Sequence, residues 1–192
     1  MEKDLQKLAH TWITTTPESV EVEDEFYCQT RDVFQARLDR MTNNLLKEFG
    51  TQAERIYIAS AMAGEIGNNS FDHNLGSWPD VAGIFFGYDF FEDEIKIVLA
   101  DRGRGVLATL RGVKPELKND MDGLQTAFTE RISGRAPESR GNGLKFVKEN
   151  LQVRKMHLVF FSGNAQADLN EKMEIKEVAE SVNGCLAILT LL

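Results

Sequence analysis

Apolar positions along this chain recur with two different periods. Between 31 and 49, Val33, Phe34, Leu38, Met41, Leu45 and Leu46 fall at helical spacing and Gly50 supplies a stop, which predicts a helix. A second helix is predicted over about 51–71, through the run RIYIASAMAG. The texture then changes: VAGIFFGYDFF (81–91) and EIKIVLAD (94–101) predict two strands joined at Glu92-Asp93. Residues 106–140 are rich in glycine, proline and charge and read as loop, with one helix at 124–132; so long a segment inside a compact domain is functional or mobile. GNGLKFVKENL predicts a helix opened by glycines, with Leu144, Val147 and Leu151 on one face, and MHLVFFS (156–162) and CLAILTLL (185–192) predict a closing pair of strands. At the other end, residues 1–17 form a short polar lead with a small helix ended before Pro17, and the alternation over 19–23 predicts an edge strand.

Helices, a hairpin, a loop-rich segment, a helix and a closing hairpin, in that order, predict an α+β fold: a two-layer α/β sandwich with a mixed sheet covered by helices on one face. The lead occupies 1–30 and the domain 31–192.

Composition narrows the function classes. A chain of 192 residues with 42% hydrophobic and 27% charged residues is ordinary for one globular domain. No stretch reaches the roughly 18 unbroken apolar residues of a membrane span, and MEKDLQKLAH carries both charges without an apolar core, unlike a signal peptide. Neither membrane nor secretion is expected, and a cytoplasmic location fits best. The two cysteines, Cys28 and Cys185, form neither a disulfide framework nor a metal-ligand spacing. A net charge of −8 argues against a nucleic-acid surface, although Arg102/Arg104 and Arg131/Arg135/Arg140 form local basic clusters suited to a small polyanion.

Candidate chemistry concentrates in three motifs. The second predicted helix ends in EIGNNSFDH, where Ile58, Met62, Glu65, Asn69 and Asp72 form one stripe with His73 beside it. Its first members are apolar and its later ones polar, so the face leaves the core and enters a pocket; read alone, the stretch also describes a helix fraying into solvent. The strand EIKIVLA then ends in Asp101-Arg102-Gly103-Arg104-Gly105: a carboxylate placed to accept from a buried amino group, followed by glycines that admit a close backbone approach. Third, Arg140-Gly141-Asn142-Gly143-Leu144 opens a helix, whose N-terminal N–H groups favour phosphate. No GxxxxGK[ST] P-loop occurs.

E-x-x-x-N, DxGxG and GxGL in this order, with a loop-rich segment between the last two, resemble the N, G1 and G2 boxes of the GHKL superfamily, which includes gyrase B, the large heat-shock chaperone, MutL, sensor histidine kinases and anti-sigma-factor serine kinases. The resemblance spans roughly 50–192 and implies the Bergerat-type ATP-binding fold with ATP and Mg²⁺. It implies that Asn69 binds Mg²⁺, that Glu65 polarises an attacking water or hydroxyl, and that Asp101 accepts the adenine amino group. Gly103, Gly105, Gly141 and Gly143 would flank the nucleotide together with Asn142 and Leu144, and 106–140 would be a lid over the phosphates; charge alone, not the resemblance, makes Arg131, Arg135 or Arg140 a candidate to meet the γ-phosphate there. Asp72 is similar to the N box of gyrase B and MutL, whereas His73 is similar to that of the anti-sigma kinases and some histidine kinases. Lys145 stands where many kinases carry a further glycine, which leaves that part of the phosphate loop open.

A sensor kinase needs an upstream phosphoacceptor histidine on a long dimerisation helix, and His10 sits in a short polar lead without such a pattern. The expectation is therefore a regulatory kinase-like module of the anti-sigma type that phosphorylates or sequesters a partner regulatory protein, with a homodimer left open. The alternative is a nucleotide-dependent interaction switch or an ATPase subunit without kinase activity.

Overall fold

In the computed structural model, which describes residues 4–17, 22–91, 94–132 and 143–191, strand β3 (Glu94–Asp101) shows how the layers form. Its alternate residues Ile95, Ile97 and Leu99 enter one apolar cluster, while Val98 and Ala100 enter another on the opposite face. Both sets are buried, so this strand is covered on two sides. It lies mid-sheet in the order β1–β2–β3–β5–β4, with β1 at Tyr27–Cys28, β2 at Ile84–Phe91, β4 at Met156–Leu169 and β5 at Met173–Leu191. Every ladder is antiparallel. Among the described residues the sheet is antiparallel rather than mixed, because both strand pairs are hairpins and β5 returns antiparallel to β3.

The main helical layer contains α2 (Arg31–Glu48), α3 (Ala53–Asn74), α5 (Asp120–Thr129) and α6 (Gly143–Arg154). Phe34, Met41, Met62, Phe128 and Val147 from these helices meet Ile97, Leu158, Phe160 and Leu189 of the sheet in the larger core. The far face is not bare, as helices on one face alone would leave it. Helix α1 (Leu5–Thr14) lays Leu5, Ala9, Trp12 and Ile13 on Phe85, Val98, Leu186 and Ile188. Capping explains two helix starts: the Asp4 side chain accepts from the Lys7 amide, and the Thr30 hydroxyl accepts from the Val33 amide.

Two segments differ from the sequence expectation. The part of the loop-like stretch up to 132 is largely helical, as α4 (Gly105–Leu110) and α5. Leu124 and Phe128 are fully buried, and Phe128 meets Phe160 edge-on at 5.5 Å. The expected helix at 124–132 starts four residues earlier, because Asn119 caps it by accepting from the Asp122 amide and Asp120 and Asp122 suit its positive N-terminal end. Over 106–132 the chain is thus packed and largely helical rather than loop-like; 133–140, the rest of the segment expected as a lid, lie outside the described residues.

The closing strands are also much longer than predicted. Past Ser162, Ala165, Ala167 and Leu169 continue the buried alternation. The register breaks around Gly163, whose φ is +58°. His157 and Asp168 stand 11 residues apart in β4, a separation of roughly 36 Å along a straight strand, yet their side chains are 2.9 Å apart. The long hairpin therefore folds back on itself at the break. Of the predicted edge strand, 19–21 lie outside the described residues and 22–23 form no strand; the edge is β1 instead. Among the described residues no helix is long and apolar enough to cross a membrane.

Candidate functional site

Helix α3 changes character along its length, and the neighbours explain why. Its first half buries Ile56, Ala59, Met62 and Ala63 against the core. Further on, Ile66, Asn69, Ser70, His73 and Asn74 line a cavity of about 110 Å³ between α3, the end of β3 and α4. The sheet side of this cavity is Leu99, Ala100, Asp101, Phe160, Cys185 and Ala187, and α4 contributes Val106, Thr109 and Leu110. The α3 wall is mostly polar and the other walls are mostly apolar apart from Asp101, Cys185 and Thr109, as in a site for a flat ligand with a polar edge.

Asp101 is the ionisable group at the floor, only 3% exposed. Its Oδ2 accepts from the Ser70 hydroxyl at 2.7 Å, and its Oδ1 accepts from the Gly103 amide at 2.8 Å. Burial pushes its pKa up to about 6, and the two hydrogen bonds, which favour the charged form, pull against that rise. Each oxygen retains acceptor capacity. His73, in the cavity wall, is held below its ordinary value, first by burial and then by the Arg104 guanidinium, so its ring is neutral at pH 7. Burial raises the Cys185 thiol well above its usual range, and the Asp101 carboxylate adds to that, which favours the neutral thiol over the thiolate.

The second glycine loop joins the polar end of α3. A Cβ at Gly143 would lie 2.9 Å from Glu65 Oε2 and 3.0 Å from Asn69 Nδ2, so the start of α6 comes close to both side chains and a larger residue there would push them aside. Gly105 and Leu144 also line the cavity. Glu65, Asn69, His73, Asp101, Gly105, Gly143 and Leu144 are therefore brought together around one opening, with Glu65 exposed beside it. Gly141, Asn142 and Arg140, together with Arg135, lie outside the described residues.

Three sequence candidates sit elsewhere. Asp72 faces α2 and pairs with Arg31 rather than lining the cavity, because one more step of the helix carries the stripe past the opening. Arg102 is not a free cation for a polyanion. It follows Asp101 in the chain, so its side chain leaves the opposite face, where it is 1% exposed, pairs with Asp80 at 2.6 Å and donates to the Trp12 carbonyl. Gly103 is not among the cavity-lining residues; the room a Cβ would need is taken by the Asn74 amide.

Other contributors carried no sequence signal of their own. Ser162, 1% exposed, accepts from the Val106 amide at 2.9 Å and donates to the Gly184 carbonyl at 3.1 Å, tying the start of α4 to β5. Gly184 has a φ of +74°, and a Cβ there would overlap the Asp101 carbonyl and lie 2.5 Å from the Gly103 nitrogen. Gly184 lies inside β5, where the register with β4 shifts between Cys185 and Val182; that this irregularity backs a pocket is visible only in three dimensions.

As for bound groups, a buried carboxylate facing an apolar wall fits the amino edge of a purine, and the glycine-opened α6 beside Asn69 fits phosphate with a hard cation. Among the described residues no group of three or more His, Cys, Asp or Glu could hold a metal on its own, so any Mg²⁺ here would take waters and phosphate oxygens as its other ligands. Compared with models of known protein families the chain matches none, and compared with curated proteins it matches none either.

Proposed function

We propose that this protein is an ATP·Mg²⁺-binding regulatory module, kinase-like in layout, that phosphorylates or sequesters a partner protein in the cytoplasm. The observation that carries the reading is the meeting of three separated chain segments: Glu65 and Asn69 against Gly143 at one end of a cavity whose floor is the buried Asp101. In this reading Asp101 accepts from the adenine amino group, the apolar wall takes the base, and Asn69 holds the cation beside the phosphates. Magnesium, when bound, supplies charge neutralisation across the phosphate oxygens. Glu65 accepts the proton of the attacking hydroxyl or water, a role its exposure leaves open to a partner's side chain.

A second reading is supported by that same exposure. Glu65 is not among the residues lining the cavity, which suits a nucleotide-dependent interaction switch, or an ATPase subunit, with little turnover. Calorimetry with ATP and Mg²⁺ on wild type and Glu65→Ala separates the cases. The kinase reading expects both to bind and only wild type to transfer or release phosphate. Binding by both without turnover in either favours the switch, and no heat and no shift of Tm at millimolar ATP in wild type removes the nucleotide proposal.

A further inference from the structure

Gly103 invites a simple interpretation: a glycine in a DxGxG loop clears space for a ligand. Its surroundings argue otherwise. A Cβ at Gly103 would overlap Nδ2, Cγ and Oδ1 of Asn74, and no cavity surface belongs to Gly103. Its φ is not among the positive values of the chain, so backbone strain gives no reason for glycine there either. Asn74, 4% exposed and itself lining the cavity, is held at both ends of its amide: its Nδ2 donates to the Ser70 carbonyl at 2.8 Å, and its Oδ1 accepts from the Arg104 amide at 3.0 Å. Ser70, one helical turn earlier, donates to Asp101 at 2.7 Å. The last turns of α3 thus clasp the loop at both ends, at Asp101 through Ser70 and at Arg104 through Asn74.

We infer that Asn74 is the positioning residue of the Asp101 loop, and that glycine at 103 exists to admit its amide rather than a ligand. With Asn74 in place the loop is held so that the Gly103 amide points back at Asp101 Oδ1. Without it, the Arg104 amide loses its partner and the Gly103–Asp101 bond loosens. The inference rests on the nucleotide reading only where ATP is the probe; the geometry of the loop does not depend on it.

The experiment is a double-mutant cycle of Asn74→Ala and Gly103→Ala, with Asn74→Ser as a milder variant should the alanine fold poorly. Calorimetric ATP affinity is one readout. Gly103→Ala alone is expected to weaken binding about tenfold, and the double variant to bind no worse than Asn74→Ala, since the amide that forbids the methyl is gone. The second readout needs no nucleotide: the Asp101 carboxyl is titrated by carbon NMR. Asn74→Ala should move its midpoint upward through the weakened Gly103 bond, and Asn74→Ser should restore part of it. The groups facing Asp101, namely His73 of α3 and Cys185 of β5 with Asp120 behind it, are unchanged in all variants. Additive losses in the cycle, or an Asp101 midpoint indifferent to Asn74, would overturn the inference. If wild type binds no ATP but the midpoint shifts, the nucleotide reading fails and the positioning role stands.

Discussion

At Asp101 burial and hydrogen bonding pull in opposite directions, and the balance sets the pH range in which the carboxylate is charged. Its folded-state pKa of about 6 lies above the ordinary 3.8, so between those values the folded protein keeps a proton that the unfolded chain has released. The group's favourable contribution is complete below about pH 4 and is lost as pH rises through 6, on the order of 3 kcal/mol from about two pKa units. Asparagine mimics the protonated acid. Asp101→Asn should therefore raise Tm by several degrees at pH 8 and leave it unchanged at pH 4, while weakening ATP roughly ten- to hundredfold through a mismatched buried hydrogen bond. Melting curves across that pH range, with calorimetry at pH 8, check both halves. A stabilised variant that binds ATP normally would clear Asp101 of any role with the base.

The elements around the pocket depend on close backbone approaches more than on propensity. Within β5, Gly184 combines a left-handed φ of +74° with a neighbour, the Asp101 carbonyl, that a methyl would overlap. Gly184→Ala is expected to cost roughly 2–4 kcal/mol and to displace Asp101, so that urea midpoint and ATP affinity fall together. By contrast Gly50 has nothing within 4 Å of a Cβ, and Gly50→Ala serves as the neutral control. Helices α2, α3 and α6 and strands β2 and β3 were legible from period alone, because each is long enough to show its buried face. Helix α4 was not: six residues hold less than two turns, too few for a stripe. The folded-back half of the β4–β5 hairpin was missed although Ala165, Ala167 and Leu169 alternate, since small side chains give a weak hydrophobic signal.

Across the whole molecule, the cavity and α1 lie on opposite faces of the sheet, and consecutive residues join them. Asp101 faces the cavity; Arg102 faces α1, where it takes the Trp12 carbonyl and pairs with Asp80, whose own pKa is held down by the hydrogen bonds and charge of Arg102 despite partial burial. Removing one partner of such a pair leaves the other charge poorly compensated. Arg102→Leu should cost about 3–5 kcal/mol and loosen α1. In a Trp78→Phe background Trp12, 2% exposed, becomes the sole indole reporter, and its emission should shift to the red. Unchanged emission and stability would mean that α1 is held by its apolar face alone.

Short-range chemistry was readable along the chain. Period fixed which residues face inward, and residue type marked where a carboxylate, an amide and glycines could meet a ligand, so Glu65, Asn69, Asp101 and Gly143 could be picked out one by one. What no local pattern carries is which atoms arrive at the same point from distant positions. The pleat sends Asp101 and Arg102 to opposite faces, one helical step turns Asp72 toward Arg31, and the Asn74 amide fills the space beside Gly103. Those outcomes depend on excluded volume among segments far apart in sequence, and excluded volume exists only once the layers have packed.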